Sequence, residues 1–168
     1  SNMKKILVIG DVMLDVYING YVERISPEGP IPVFLRDKEE QYIPGGAANV
    51  ALNVRAAGCD VSICGVIGND SSGECLKEVL SKQGVKTEYL VKCDRLTTQK
   101  TRYVGQNNQQ ILRVDSETKD DISIDEIQGL LSALSESVGK YDVVIFSDYK
   151  KGFLSDGIMI ALIRSEER

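Results

Sequence analysis

The sequence contains no histidine and no tryptophan, and its four cysteines form no Cys-x-x-Cys pair. Without histidine, the chain cannot use the Ser-His or Cys-His pairs that activate nucleophiles in many enzymes. A structural zinc site would need all four thiolates, at spacings that do not suit it. We therefore expect free thiols in or near the core of a reduced protein, at Cys59, Cys64, Cys75 and Cys93.

Long apolar runs and charge of a single sign are also missing. No run approaches the ~20 apolar residues that span a bilayer, and the N-terminal residues do not have the layout of a signal peptide. The net charge is −5 and the basic residues are scattered, so no nucleic-acid surface is indicated. With 42% hydrophobic and 27% charged residues, the composition is that of a soluble globular protein, which we expect in the cytoplasm without membrane or nucleic-acid partners.

The pattern that is present alternates strands with helices. Residues 6–9 and 141–146 are apolar runs typical of strands that are buried on both faces. Helical patterns begin after Gly46, at Asp70 or Ser71, at Ser123 or Asp125, and at Ser155. This order predicts an α/β fold with a mostly parallel sheet and helices on both of its faces.

Two segments differ from this alternation. Residues 16–43 contain short, half-polar runs that prolines and glycines interrupt, which favours strands over helix. Residues 85–115 also have strand patterns, with a turn near residues 105–108. We expect a small sheet that stands off the main domain.

Ligands of such folds bind at the carboxyl ends of the strands, and two motifs fall there. Asp11 and Asp15 follow the first strand, where carboxylates could accept hydrogen bonds from sugar hydroxyls, although a turn residue and a surface residue would give the same pattern. Gly45 and Gly46 precede a helix and would let a ligand approach the backbone, and Asn49 is unusual beside an alanine run. A plain loop before a helix is the alternative, and neither standard glycine-rich nucleotide motif is present.

Two further motifs carry charge. Alternation along a strand places Lys100 and Arg102 on one face, where they could hold a phosphate or form a solvated strand face. Asp148 follows the strand at residues 141–146, in a polar segment that suits either a site or a turn into the next helix. Spacing alone does not decide between a phosphate site and a solvated face for Lys100 and Arg102. Nor does it decide between a site and a turn for Asp148.

In order along the chain, these motifs resemble the PfkB (ribokinase-like) family of carbohydrate kinases, and within it the D-glycero-β-D-manno-heptose-7-phosphate kinases of ADP-heptose synthesis. The resemblance is carried by residues 10–15, 26–33, 45–51, 98–102, 110–115 and 147–152. It implies a ribokinase-like three-layer αβα sandwich with a small β-sheet lid. Residues 16–43 and 98–114 would form this lid, which closes over the sugar and would pair two subunits into a homodimer.

The resemblance also implies a reaction and a site. The reaction is transfer of the ATP γ-phosphate, with Mg²⁺, to the anomeric hydroxyl of the sugar phosphate. Positions that match the family's sugar-site residues are Asp15, Gly45, Gly46, Asn49 and Asp148. From charge alone, we expect the phosphate of the sugar near Lys100, Arg102 or Arg113.

The sequence departs from the family in lacking the Gly-Ala-Gly-Asp motif whose Asp is the catalytic base, together with the later ATP-site motifs. We therefore expect residues 3–168 to be the N-terminal, sugar-binding portion of a kinase domain, with no catalytic residue, metal site or bound cofactor of its own. ATP and Mg²⁺ would serve the full-length enzyme, and this polypeptide alone would be inactive. The alternatives are another PfkB kinase, for ribose or fructose, and a non-catalytic sugar-binding or dimerising module; a fused adenylyltransferase is left open.

Overall fold

The computed structural model describes residues 3–154, and the last predicted helix, from Ser155, lies outside them. The elements in chain order are β1 (Lys5–Gly10), β2 (Val12–Ile25), β3 (Pro32–Arg36), β4 (Gln41–Gly46), α1 (Ala47–Ala56), β5 (Asp60–Gly68), α2 (Ser71–Lys82), β6 (Lys86–Cys93), β7 (Gln99–Val104), β8 (Gln110–Ser116), α3 (Gln128–Ser137) and β9 (Val143–Ser147).

Four parallel strands form the main sheet, in the order β6-β5-β1-β9. The centre of β1 is apolar, and Leu7, Val8 and Ile9 are at most 2% exposed, as expected for a strand that is covered on both faces. On one face, Val8 belongs to a buried cluster that includes residues of α1 and α2, Leu80 among them. On the other face, Leu7 and Ile9 belong to a second buried cluster with Leu134 of α3. These layers confirm the predicted α/β architecture.

The first two helices begin and end where the sequence predicts. Gly46 precedes α1 with a φ of 60°, and Gly58 follows it with a φ of 99°. Asp70 caps α2, because its carboxylate accepts the backbone N–H of Gly73 at 2.9 Å. Gly84, with a φ of 87°, ends the turn after α2.

The third helix starts later than a simple cap would place it. A 3-10 turn spans Asp125–Ile127, and the α-helix begins only at Gln128. The Ser123 hydroxyl accepts the backbone N–H of Glu126 at 3.3 Å and so caps the 3-10 turn. The longest helix within residues 3–154 is α2 with 12 residues, and no helix there is long and apolar enough to cross a membrane.

A second sheet, here called the lid sheet, is built around the 14-residue strand β2. Antiparallel β4 and β3 pair with its first and second halves, β7 pairs with it in parallel, and β8 pairs with β7. The lid strands lie within residues 12–46 and 99–116, so they extend beyond the predicted 16–43 and 98–114 at most ends. β2 starts early because a single residue separates it from β1 and its first residues pair with Gly45 and Gly46.

The lid sheet is amphipathic. Leu14, Val16 and Ile18 are at most 7% exposed and join the core beneath α1 and α2. Asp15 and Tyr17 alternate with them and therefore lie on the opposite face. The apolar face fixes the lid sheet on the main domain, and the other face is left for polar groups.

All four cysteines are free thiols, as predicted. Cys64 is fully buried in β5, and the other three are half-buried. Burial raises the pKa of the Cys64 thiol, which keeps it protonated and unreactive.

Candidate functional site

Asp11 links the two sheets through its backbone. It is the single residue between β1 and β2, and its N–H donates to the carbonyl oxygen of Ser147 at 3.1 Å, at the end of β9. Its own carbonyl oxygen accepts the N–H of Ala47 at 2.8 Å, in the first turn of α1. One residue therefore connects the ends of β1 and β9 with the starts of β2 and α1, at the carboxyl edge of the main sheet.

The Asp11 carboxylate is directed into the protein. It is 3% exposed, and it accepts backbone N–H groups from Tyr149 at 2.8 Å, Lys151 at 3.3 Å and Phe153 at 3.2 Å. Its hydrogen-bonding capacity is therefore largely used by the segment that follows β9. These backbone N–H groups are internal partners of Asp11, and the predicted contact of Asp11 with a sugar stays a prediction.

Gly45 and Gly46 have no room for side chains. A Cβ on Gly46 would lie 2.3 Å from the Asp11 carbonyl oxygen, and the residue has a φ of 60°. A Cβ on Gly45 would lie 2.8 Å from Asp15 Oδ2 and 2.9 Å from Met13 Cγ. The paired glycines are therefore required by close packing of β4 on β2.

Asn49 lies in the first turn of α1 and is exposed. That helix begins without a side-chain cap and without an acidic residue in its first turn. The free N–H groups of a first turn favour acceptor atoms, so Asn49 borders a weakly positive helix end.

Asp15 and Arg102 form an ion pair across the lid sheet. Arg102 Nη1 donates to Asp15 Oδ1 at 2.8 Å. The Arg102 side chain is only 17% exposed and that of Asp15 only 22%. The guanidinium carbon also lies 5.4 Å from the centre of the Tyr17 ring. The hydrogen bond with Asp15 raises the pKa of Arg102, although burial acts against it. Arg102 thus holds one oxygen of Asp15, and the other, Oδ2, lies close to Gly45.

The predicted cations occupy neighbouring positions on the same face. Lys100 is in register with Asp15 on one side and with Asp115 on the other. Arg113 is the cross-strand neighbour of Arg102, and it pairs with Asp115 at 2.9 Å. Within residues 3–154, the Lys100 side chain makes no hydrogen bond or ion pair, so its ammonium group is the most available of these three cations to an added anion.

Asp148 lies at the edge of the main sheet, directly after β9. Its carboxylate accepts the Lys150 backbone N–H at 2.8 Å and pairs with Lys150 Nζ at 2.9 Å. These hydrogen bonds lower the pKa of Asp148, so the group is a carboxylate at neutral pH. The side chain is 32% exposed and can accept hydrogen bonds from a hydroxyl-bearing ligand.

Two supporting groups were missed by reasoning from the sequence. Arg95 Nη2 donates to the carbonyl oxygens of Thr118 at 2.8 Å and Lys151 at 3.3 Å. Lys151 Nζ also pairs with Glu117 at 2.7 Å. No local pattern distinguishes Arg95 from a surface arginine, because all its partners are distant in the sequence.

The structure thus gathers the predicted residues into two groups. Asp15, Gly45, Lys100, Arg102 and Arg113 share the polar face of the lid sheet. The second group lies at the rim of the main sheet and comprises Asp11, Gly46, Asn49 and Asp148. A cleft of about 500 Å³ lies on the opposite, apolar face of the lid sheet and contains none of these residues.

The described residues do not form a metal site. Between residues 3 and 154, no three His, Cys, Asp or Glu side chains lie close enough together to hold a metal ion. The carboxylates at the site are instead paired with Arg102, with Lys150 or with backbone N–H groups. We therefore assign no magnesium ligand to this part of the chain.

Known proteins share both the sequence and the fold. A model of the pfkB family carbohydrate kinases matches residues 3–162. The bifunctional protein HldE of Citrifermentans bemidjiense is 44% identical over 160 residues, which is 95% of this chain and 32% of that protein. A possible 1-phosphofructokinase of Thermotoga maritima has a TM-score of 0.72 at 19% identity, covering 97% of this chain and 50% of that one. Arabidopsis thaliana ribokinase, solved with ribose and ATP, has a TM-score of 0.62 at 18% identity over 97% of this chain and 50% of its own.

The chain spans about a third of the length of this curated relative and about half of these solved structures. The structural likeness confirms the ribokinase-like α/β fold. The family model covers nearly the whole sequence, and the fold agrees with it. The chain belongs to the pfkB family of carbohydrate kinases.

Proposed function

We propose that this chain is the sugar-binding portion of an ATP-dependent kinase that acts on D-glycero-β-D-manno-heptose 7-phosphate. The observation that carries the proposal is the polar face of the lid sheet, where the Asp15 carboxylate adjoins Gly45 and Lys100, whose side chain has no partner among residues 3–154. A carboxylate suits sugar hydroxyls and an ammonium group suits a phosphate. Such a face fits a phosphorylated sugar better than a neutral one.

Relatives support the choice of sugar. The HldE proteins, which are heptose-7-phosphate kinase/adenylyltransferases, are about 44% identical to this chain. The similarity to ribokinase supports ATP as the phosphoryl donor, since that relative was solved with ribose and ATP. A reaction that draws on ATP and a sugar phosphate also fits the cytoplasm.

The residues of this chain would bind and orient the sugar. Asp15 and Asp148 would accept hydrogen bonds from its hydroxyls, and Asn49 would contact it at the start of α1. Gly45 and Gly46 would hold β4 close to β2 beside the sugar, because neither leaves room for a side chain there. Bound this way, the sugar would hold its anomeric hydroxyl in place for the γ-phosphate, and positioning is a large part of phosphoryl-transfer catalysis.

The remaining chemistry would come from elsewhere in a longer protein. The Gly-Ala-Gly-Asp motif that carries the family's base is not in the sequence. ATP, with Mg²⁺ to neutralise its phosphates, would be bound by the full-length enzyme. This polypeptide by itself would therefore show no ATP consumption that depends on the heptose phosphate.

Isothermal titration calorimetry with a panel of sugars tests the proposal. Heptose 7-phosphate should bind more tightly than ribose 5-phosphate, fructose 6-phosphate or unphosphorylated heptose. Tighter binding of ribose or fructose phosphates would favour another sugar kinase of the family. Binding of none of them would contradict a sugar site in this chain.

Lys100→Ala tests the phosphate contact. It should weaken heptose 7-phosphate binding by ~1 kcal/mol or more, because a charge-assisted hydrogen bond is lost, and should leave binding of unphosphorylated heptose unchanged. Lys100 is a cleaner target than Arg102, whose removal also releases Asp15. Lys82→Ala, at the end of α2, serves as the control for loss of one positive charge. Equal effects of the two variants would contradict a phosphate contact at Lys100.

A further inference from the structure

We infer that Asp11 is a positioning residue, which holds Asp148 and the Gly46 turn in place for the sugar and does not itself bind it. This inference rests on the proposed function for its sugar readout. Its structural part stands on the geometry of Asp11 alone.

Burial is the first reason. Asp11 is 3% exposed, so a sugar hydroxyl has little access to its side chain. A buried carboxylate is costly unless hydrogen bonds satisfy its oxygens. Here the three N–H groups of Tyr149, Lys151 and Phe153 do so.

The position of Asp148 is the second reason. The preceding residue, Ser147, accepts the N–H of Asp11 at 3.1 Å, and the following residue, Tyr149, donates to Asp11 Oδ2 at 2.8 Å. Asp148 is therefore fixed on both sides by one residue. Since Asp11 also accepts the N–H of Ala47, the same residue sets the distance from Asp148 to the start of α1.

Contacts on the carbonyl side of the segment complete the arrangement. Arg95 donates to the carbonyl oxygen of Lys151 at 3.3 Å, and Ile122 donates its N–H to the carbonyl oxygen of Gly152 at 2.9 Å. The segment thus gives its N–H groups to Asp11 and its carbonyl groups to Arg95 and Ile122. A segment held from both sides is suited to keep an exposed carboxylate in one position.

Asp11→Asn tests the inference. The amide keeps the size of the side chain, but its NH₂ group cannot accept a hydrogen bond, so at least one backbone N–H loses its partner. Hydrogen exchange of the amides at Tyr149, Lys151 and Phe153 should speed up about tenfold or more, and the affinity for heptose 7-phosphate should fall by a similar factor. Asp15→Asn is the matched control, which should lower affinity and leave exchange in this segment unchanged.

A double-mutant cycle with Asp148→Asn distinguishes positioning from a general structural role. If Asp11 acts through Asp148, adding Asp11→Asn to Asp148→Asn should cause little further loss of affinity. Additive losses, or lost affinity without faster exchange, would overturn the inference. If the wild-type chain binds no sugar phosphate, the proposed function fails and the exchange data still decide whether Asp11 holds the segment. Should Asp11→Asn not fold, Arg95→Gln loosens the same segment from its carbonyl side and should give the same two changes.

Discussion

At the scale of single residues, the backbone at Gly46 accepts glycine far better than any other residue. Its φ is 60°, and a Cβ would lie 2.3 Å from the Asp11 carbonyl oxygen. Gly46→Ala should therefore lower the free energy of unfolding by about 2 kcal/mol or more, since it adds a backbone clash to a strained conformation. Urea denaturation followed by circular dichroism measures the loss.

Substitutions at two other glycines separate the cost of the steric clash from the cost of the strained conformation. Gly58 has a φ of 99° with nothing within 4 Å of a Cβ, so Gly58→Ala should cost only about 1 kcal/mol for the conformation. Gly129 lies in α3 and also has open space, and Gly129→Ala should stabilise the protein by about 0.5–1 kcal/mol. If Gly46→Ala costs no more than Gly58→Ala, the close approach to Asp11 is unimportant.

The residue scale also shows what a sequence cannot reveal. Asp11 and Asp15 look alike in the sequence, as carboxylates after the first strand. In the structure, Asp11 points inward to backbone N–H groups and Asp15 points to Arg102, 87 residues away. The direction of a side chain depends on partners that tertiary contacts bring close to it. A local sequence pattern does not show which partners these are.

At the scale of elements, the start of α2 joins the lid sheet to the main domain. Asp70 accepts the N–H of Gly73 at 2.9 Å, and it also accepts the N–H and the hydroxyl of Thr97 at 2.9 Å and 2.6 Å. The Thr97 hydroxyl in turn accepts the N–H of Gly68 at 2.8 Å. Burial acts to raise the pKa of Asp70, but the hydrogen bonds from Thr97 and Gly73 outweigh it and the net shift is downward.

Asp70→Ala should therefore destabilise the protein in a pH-dependent way. The loss should be about 1–2 kcal/mol at pH 7, because a helix cap and the anchor of Thr97 disappear together. A carboxyl with a lowered folded-state pKa stabilises fully above its unfolded pKa of about 3.9, and this stabilisation is lost as the pH falls through the folded value. The difference between wild type and variant should accordingly shrink below about pH 4 in urea titrations.

Asp70→Asn is the companion variant, because Asn still caps a helix but does not ionise. It should lose less stability at pH 7 than Asp70→Ala, with a similar decrease of the difference in acid. Asp94→Asn, at an exposed position, is the control for charge alone. A wild-type advantage that stays constant from pH 7 to pH 3 would contradict this role of the Asp70 charge.

Helices and strands were predicted best where the residues that begin or end an element agree with the spacing of its apolar residues. α1 and α2 follow from small or apolar residues between Gly46 and Gly58, and between Asp70 and Gly84. The early start of β2 at Val12 was missed, because an apolar run that crosses from one sheet into another shows no break at the crossing. That crossing depends on pairing with β4, which is a long-range contact.

At the scale of the whole molecule, both sheets contribute residues to the candidate site. The lid sheet supplies the charged row that includes Asp15 and Lys100, and the main sheet supplies Asp148. The crossing at Asp11, the anchor at Asp70 and the apolar face of the lid sheet hold the two contributions in register. The family fold was predictable from motifs in order, but this junction was not, since each of its contacts joins distant segments.

The apolar face of the lid sheet continues beyond the main domain, and this extension should pair two copies of the chain. Leu112 and Val114 lie in β8 at 55% and 45% exposed, and their cross-strand neighbours are Tyr103 and Thr101. Exposed apolar patches of this kind mark protein interfaces. Leu112→Glu should shift the protein towards the monomer, because a charge would be buried on pairing.

Ile43→Glu is the matched control for that substitution. Ile43 is 46% exposed, but it is the cross-strand neighbour of Asp15 and so lies on the polar face. Light scattering across a range of concentrations should find a dimer for the wild type and Ile43→Glu, and a monomer for Leu112→Glu at the same concentration. Equal dissociation of the two variants would place the interface elsewhere, and a monomeric wild type would contradict pairing through the lid sheet.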